Sequence, residues 1–206
     1  ADMKIVFATK NEGKVREIRE MLEGTGIEVI SLNAYPDTPE IIEDGASYLE
    51  NALIKATIIS DYTGEIVLAD DSGLEVDSLE GEPGIYSARY AGEGASDEAN
   101  NRKLLDKLKG VAREKRSAAF HCALVLYSPD GSFKSFEARW PGMIIDHGKG
   151  DNGFGYDPIF YVPEQQKTAA ELPPKIKNVI SHRGQAFEKL KLYLQEKQSP
   201  SGQNGA

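Results

Sequence analysis

At 206 residues the chain is long enough to bury a substantial core, as one large domain or one domain with two lobes. Its 33 acidic residues against 24 basic ones give a formal charge of -9, which excludes nucleic acid and anionic membrane as partners of the surface as a whole. An anionic ligand therefore needs a local cluster of basic residues. The single cysteine, Cys122, excludes an internal disulfide and a thiolate metal set, and there is neither a signal-peptide pattern nor a run of about 18 apolar residues to span a membrane. These features predict a soluble cytoplasmic protein.

In chain order, "MKIVFA" (3–8) is apolar and β-branched and predicts a buried strand that breaks at "TKNEGK" (9–14). Val15, Ile18 and Leu22 then recur at helical spacing until Gly24 and Gly26, and "IEVISL" (27–32) predicts the next strand. "SYLENALIKATIIS" (47–60) opens with Ser47 and Glu50 at capping-box spacing and carries Leu49, Leu53, Ala56 and Ile59 on one stripe of a helix. "EIVLAD" predicts a strand and "LEVDSL" a further one, followed by an irregular glycine-rich loop, "EGEPGIYSARYAGEGAS". Ser96 caps a helix with acids first and lysines last, the order a helix dipole favours. Two long strands about Pro129-Asp130-Gly131 predict a hairpin, and Phe187, Leu190 and Leu194 a final helix. The pattern is a mixed-sheet α/β protein, one domain over residues 1–198 with a polar, frayed tail at 199–206.

Five clusters carry candidate chemistry. Thr9, Lys10, Asn11, Glu12, Gly13 and Lys14 lie between a strand and a helix, where outward amide groups can hold a phosphate and Lys14 can add charge; an ordinary turn with a solvated lysine gives the same local pattern. Asp70 and Asp71 end the apolar run "IVLA", and two adjacent carboxylates call for a compensating cation, most economically Mg²⁺, with Glu43 as a further ligand; a turn cap plus a solvated carboxylate is the alternative. Lys55 can reach a phosphate from its helix or extend to solvent. In "GDNGFGYDPIF" the glycines allow close approach, Phe154 and Tyr156 offer flat faces for a base, and Asp157 offers an acceptor, although aromatics before a strand also serve as core. Lys177, His182 and Arg183 gather at a helix start at Ser181, where basic residues are disfavoured unless they meet an anion or polar ligand. His121 reads as a strand residue, and His147 has no assignment.

The stretches "ATKNEGKVREI", "ENALIKA", "ADDSGLEVDSLEGEPGIYSARYAG", "FGYDPIF", "KTAAEL" and "ISHRGQA" closely resemble, in order and across residues 3 to 195, the inosine/xanthosine triphosphate pyrophosphatase family. One departure is Lys10, where the family often has glycine. The resemblance implies an elongated mixed α/β fold, two lobes around a central cleft, and a homodimer. It also implies hydrolysis of the non-standard purine triphosphates ITP, dITP and XTP to the monophosphate and pyrophosphate, with Mg²⁺ as cofactor and Mn²⁺ as substitute. By that resemblance Asp71 is proton acceptor and metal contact, with Asp70 and Lys55 beside it in catalysis, and Glu43 is a metal ligand. Ser72, the segment from Thr9 to Lys14, Phe154, Gly155, Tyr156, Asp157, Lys177, His182 and Arg183 form the substrate site.

Overall fold

The structure, a computed structural model, describes residues 3–198; the expected tail at 199–206 lies outside them. Seven strands form one mixed sheet in the order β2-β1-β3-β4-β5-β6-β7. They are β1 (Met3–Phe7), β2 (Ile27–Ser31), β3 (Ile66–Val76), β4 (Ser117–Tyr127), β5 (Phe133–Ile144), β6 (Phe160–Val162) and β7 (Lys167–Thr168). β1 pairs in parallel with β2 and β3, and every pair from β3 onward is antiparallel.

The helices are α1 (Glu12–Met21), α2 (Tyr48–Thr63), α3 (Asp97–Lys107), α4 (Pro174–Ile180) and α5 (His182–Gln198). Asn11 caps α1, accepting from the Gly13 and Lys14 amides, and Ser47 caps α2, accepting from Glu50 N–H. The expected stripe on α2 is rotated: Ala52, Ala56 and Ile59 are fully buried, while Leu49 and Leu53 pack only at the rim. Small residues let α2 lie close on the sheet, and the two leucines cover its sides.

Three apolar clusters form the core. Val15, Ile18, Leu68, Leu124 and Phe187 join α1 and α5 to one face of the sheet, and Val6, Ala56, Val67 and Val125 join α2 to the other. Leu74, Val76, Phe120, Trp140 and Phe160 form the third, at the far end of the long strands. β3 crosses from the first two clusters into the third. Its residues 70–73, "DDSG", belong to none of them.

Here the structure corrects the sequence reading, since "EIVLAD" and "LEVDSL" are not two strands. β3 runs unbroken from Ile66 to Val76 because β4 pairs with it from Val67↔Tyr127 to Val76↔Ala118, supplying ladder bonds straight through the carboxylates. The supposed irregular loop likewise contains a six-residue 3-10 helix, Gly84–Arg89. Gly73 is required for close approach: a Cβ there would lie 2.3 Å from the Gly84 carbonyl oxygen and 2.6 Å from the Tyr48 ring. Gly73→Ala is expected to lower unfolding free energy by about 1–3 kcal/mol, the usual cost of overpacking. An unchanged denaturation midpoint would show that the Gly84 loop yields freely.

Candidate active site

β1 accompanies β3 only from Ile66 to Leu68, and the Ala8 amide makes the last bond, 2.8 Å to the Leu68 carbonyl. β3 next meets backbone on that edge at the Glu75↔Pro83 bridge and at Val76, which bonds Glu82 and Gly81. Between these points side chains serve the open edge: Lys55 Nζ donates to the Asp70 carbonyl (2.9 Å), and Ser87 Oγ accepts from Leu74 N–H (2.9 Å). A cavity of about 440 Å³ opens against this edge.

Successive strand residues face opposite sides of the sheet, so the two carboxylates meet different neighbours. Asp70, 2% exposed, faces α1 and α5 and pairs with Lys14 Nζ at 3.1 Å. Burial alone would raise its carboxyl, but the charges of Lys14, Lys55 and Arg183 outweigh that and hold it well below the usual carboxylate range. Asp71 faces α2. Burial, followed by repulsion from Glu43, pushes its carboxyl up to about 6. Lys55, far from extending to solvent, lies 2.8 Å from Glu43 Oε1; burial would lower its ammonium, but Asp70, Glu43 and Asp71 raise it, so it stays charged. Asn51, buried on α2, acts on Asp71 in the sense opposite to burial and Glu43, lowering its carboxyl, and accepts from Gly45 N–H at 2.8 Å in the segment that bears Glu43.

At the far end of the cavity His182 is stacked on Phe120 (4.8 Å, 11° between planes) and lies beside Trp140. Burial, with Arg183 and Lys177 adding to it, holds its imidazole well below the ordinary value, so the ring is neutral at pH 7. Phe154 is 51% exposed, with Lys177 Nζ 4.9 Å and the Arg183 guanidinium 5.0 Å from its ring centre. Asp157 is buried and accepts from Phe154 N–H (3.0 Å) and from Lys177 Nζ.

Most predicted site residues converge here. Lys14, Lys55, Asp70, Asp71, Ser72, Phe154, Gly155, Tyr156, Asp157, Lys177, His182 and Arg183 all border the cavity. Glu43 stands behind Asp71, close enough for its charge to act on it. Thr9, Lys10, Asn11, Glu12 and Gly13 do not line the cavity. The Gly13 and Lys14 amides, expected to point outward, are taken by Asn11 Oδ1, and the Glu12 carboxylate is held by Ser31 and Asn33. Tyr156 is a core residue rather than a platform, its hydroxyl donating to the Ser87 carbonyl at 2.6 Å. Sequence reasoning missed Asn51, Ser87, Asp97 and Asn101; the one available signal was an asparagine on the otherwise apolar face of α2.

Among the described residues, eight buried side-chain polar atoms have no hydrogen-bond partner beyond, for Glu43 Oε1, its ion pair with Lys55. Asp71 Oδ2, Ser72 Oγ, His182 Nδ1 and Arg183 Nε belong to residues bordering the cavity, and Tyr48 Oη and Glu43 Oε1 stand beside Asp71, the latter within the ion pair to Lys55. Partnerless buried polar atoms are costly, so this concentration outlines the polar contacts of a ligand.

The model of the Ham1 family matches residues 5–193. A dITP/XTP pyrophosphatase of Geobacter sulfurreducens is 52% identical over 191 residues, covering 93% of this chain and 96% of that protein. Another, of Bacillus licheniformis, is 52% identical over 193 residues, 94% of this chain and 98% of that one. Among solved structures, a HAM1 protein from Coxiella burnetii superposes with a TM-score of 0.89 at 43% identity, covering 94% of this chain and 99% of its own. The Staphylococcus aureus Ham1 protein gives 0.87 at 42%, over 95% and 100%. With the family model matching residues 5–193 and its fold shared with these structures over nearly its whole length, the chain belongs to the Ham1 family.

Proposed function

We propose that this chain hydrolyses ITP, dITP and XTP to the nucleoside monophosphate and pyrophosphate, clearing non-standard purines from the nucleotide pool. The observation that carries the reading is the set of partnerless buried polar atoms, the Asp71 carboxylate and Ser72 hydroxyl oxygens at one end and ring and guanidinium nitrogens at the other, along one cavity with an exposed aromatic ring. A triphosphate with a purine at its far end matches that order. The pyrophosphatase relatives support it. The reading carries with it a homodimer working in the cytoplasm.

The donor set fits Mg²⁺, with Mn²⁺ as a substitute. Asp71 Oδ2 is a hard oxygen without a hydrogen-bond donor, Glu43, ion-paired with Lys55, supplies a second carboxylate beside it, and their mutual repulsion is what a divalent cation relieves. Among the described residues no group of three or more His, Cys, Asp or Glu is placed to cage a metal, so water and phosphate oxygens would complete the shell. When bound, the ion supplies charge neutralisation at the phosphates and acidifies water.

Water attacks the α-phosphorus, the bond to the bridging oxygen breaks, and pyrophosphate leaves with the negative charge. Asp71, whose raised carboxyl suits a base, accepts the proton of the attacking water. Lys14 and Lys55 neutralise charge on the phosphate chain, and ionised Asp70 holds Lys14 in place. Ser72 Oγ donates to a phosphate oxygen. At the other end Phe154 stacks on the base, and Arg183 Nε, which cannot give up its proton, donates to the 6-keto oxygen. Adenine presents a 6-amino donor there, so donor meets donor and ATP is spared.

Four outcomes check this. Asp71→Asn is expected to lower kcat by a factor of at least about 10². The same change should stabilise the metal-free protein above pH 6: a carboxyl raised in the folded state costs stability as pH rises from its unfolded value through about 6. The gain is on the order of 1–3 kcal/mol. Normal turnover in the folded variant at saturating Mg²⁺ would remove Asp71 from the chemistry.

At limiting Mg²⁺, kcat/KM is expected to fall as pH drops through about 6, where Asp71 takes up its proton, and excess Mg²⁺ should move that limb to lower pH. A flat profile from pH 5 to 8 (roughly the span around such a carboxyl) would contradict the base assignment.

For Arg183→Ala, kcat/KM for ITP and XTP should fall far more than for ATP, narrowing the discrimination. Equal proportional losses on ITP, XTP, GTP and ATP would place Arg183 on the phosphates or in support of the fold.

A further inference from the structure

We propose that Asp97 and Asn101, one turn apart on α3, are positioning residues for base binding that grip Gly155 and so set the pose of the Phe154 ring; this rests on the purine pyrophosphatase reading above. Asp97 Oδ2 accepts from Gly155 N–H at 2.9 Å, and Asn101 Nδ2 donates to the Gly155 carbonyl at 3.1 Å. Residues four apart share a helix face, so one face of α3 holds both polar groups of a single residue.

Gly155 has φ +62, and nothing lies within 4 Å of where its Cβ would be. The glycine is there for a left-handed turn, not for lack of space. On the inner side Phe154 N–H is held by Asp157, and a Cβ on Gly153 would sit 2.0 Å from Asp157 Oδ2. Phe154 belongs to none of the three core clusters, so its ring is placed by these backbone tethers and by the cations beside it.

The grip is anchored. On α3, Leu104 is fully buried, and Asn100 accepts from Ala91 N–H (2.8 Å) and donates to the Ala88 carbonyl (3.2 Å). The same loop carries Ser87, which bonds both Leu74 N–H of β3 and the Tyr156 hydroxyl. Asp97 makes no ion pair among the described residues, though it is exposed. Its carboxylate is spent on a neutral amide, a charge-assisted bond that strengthens the hold.

The test uses two readouts on the wild-type chain, Asp97→Ala, Asp97→Asn, Asn101→Ala and Glu98→Ala. In ligand-free protein, hydrogen exchange at Gly155 N–H should speed up about tenfold in Asp97→Ala, which corresponds to about 1.4 kcal/mol. With ITP, Asp97→Ala and Asn101→Ala should each raise KM by about five- to tenfold, as expected for one lost bond, with kcat within about twofold. Asp97→Asn keeps an acceptor and should recover most of the KM. Glu98→Ala, which removes an acid from the same helix turn without touching the loop, should match wild type. Unchanged exchange, unchanged KM, or a joint fall of kcat and Tm with KM constant would overturn the grip while leaving the pyrophosphatase reading intact. A wild-type enzyme that releases no pyrophosphate from ITP or XTP would overturn that reading and the base-binding role with it, whatever the exchange data show of the grip.

Discussion

A strand with one bare edge sets the terms for everything around it. Where β1 stops at Leu68, β3 continues without a backbone partner on that side, in a stretch that none of the apolar clusters covers. Buried backbone groups need partners, and side chains from distant segments supply them: Lys55 from α2 and Ser87 from the loop after β3. The cavity exists because the sheet is left open here, and the polar groups gather because the opening has to be satisfied.

The open edge also explains how two adjacent carboxylates coexist. Lying on opposite faces, Asp70 and Asp71 divide the available cations unequally: Lys14, Lys55 and Arg183 all act on Asp70, whereas Asp71 has Lys55 alone and shares it with Asp70 and Glu43. One carboxylate is electrostatically satisfied without a ligand and behaves as part of the scaffold. The other is left in deficit, with Glu43 pressing on it, and that deficit gives a cation or a proton something to gain by binding there. A pair of acids of the same type thus acquires two different functions from geometry alone.

Much of this was legible in the sequence, for identifiable reasons. Apolar periodicity revealed β1, α1, α2, the β4–β5 hairpin and α5, and the chemically conspicuous residues Asp70, Asp71, Lys14, Phe154 and Arg183 stand out by type. What was hidden depends on tertiary contact. Two charges in a row read as the end of a strand, yet β4 carries β3 through them. Phe154 and Tyr156 look alike in the sequence, and only packing separates an exposed ring from one whose hydroxyl is bonded to Ser87. The turn from Thr9 to Lys14 resembles an anion cradle, but Asn11 already occupies two of its amides. Asn51 and Asp97 act through partners far away in the chain, and no local pattern announces them.

The cations of the cavity are sunken. The side chains of Lys14, Lys55 and Lys177 are only 22%, 17% and 15% exposed, while the chain as a whole carries a charge of -9. Seen from a distance, a polyanionic ligand meets a repulsive body, and the attraction is felt only at the mouth of the cavity. Screening acts over about 10 Å at 0.1 M ionic strength, so added salt weakens the outer repulsion more than it weakens the shielded inner charges. Moderate salt should therefore quicken the encounter, the reverse of what is seen when an enzyme wears its positive charge on the outside.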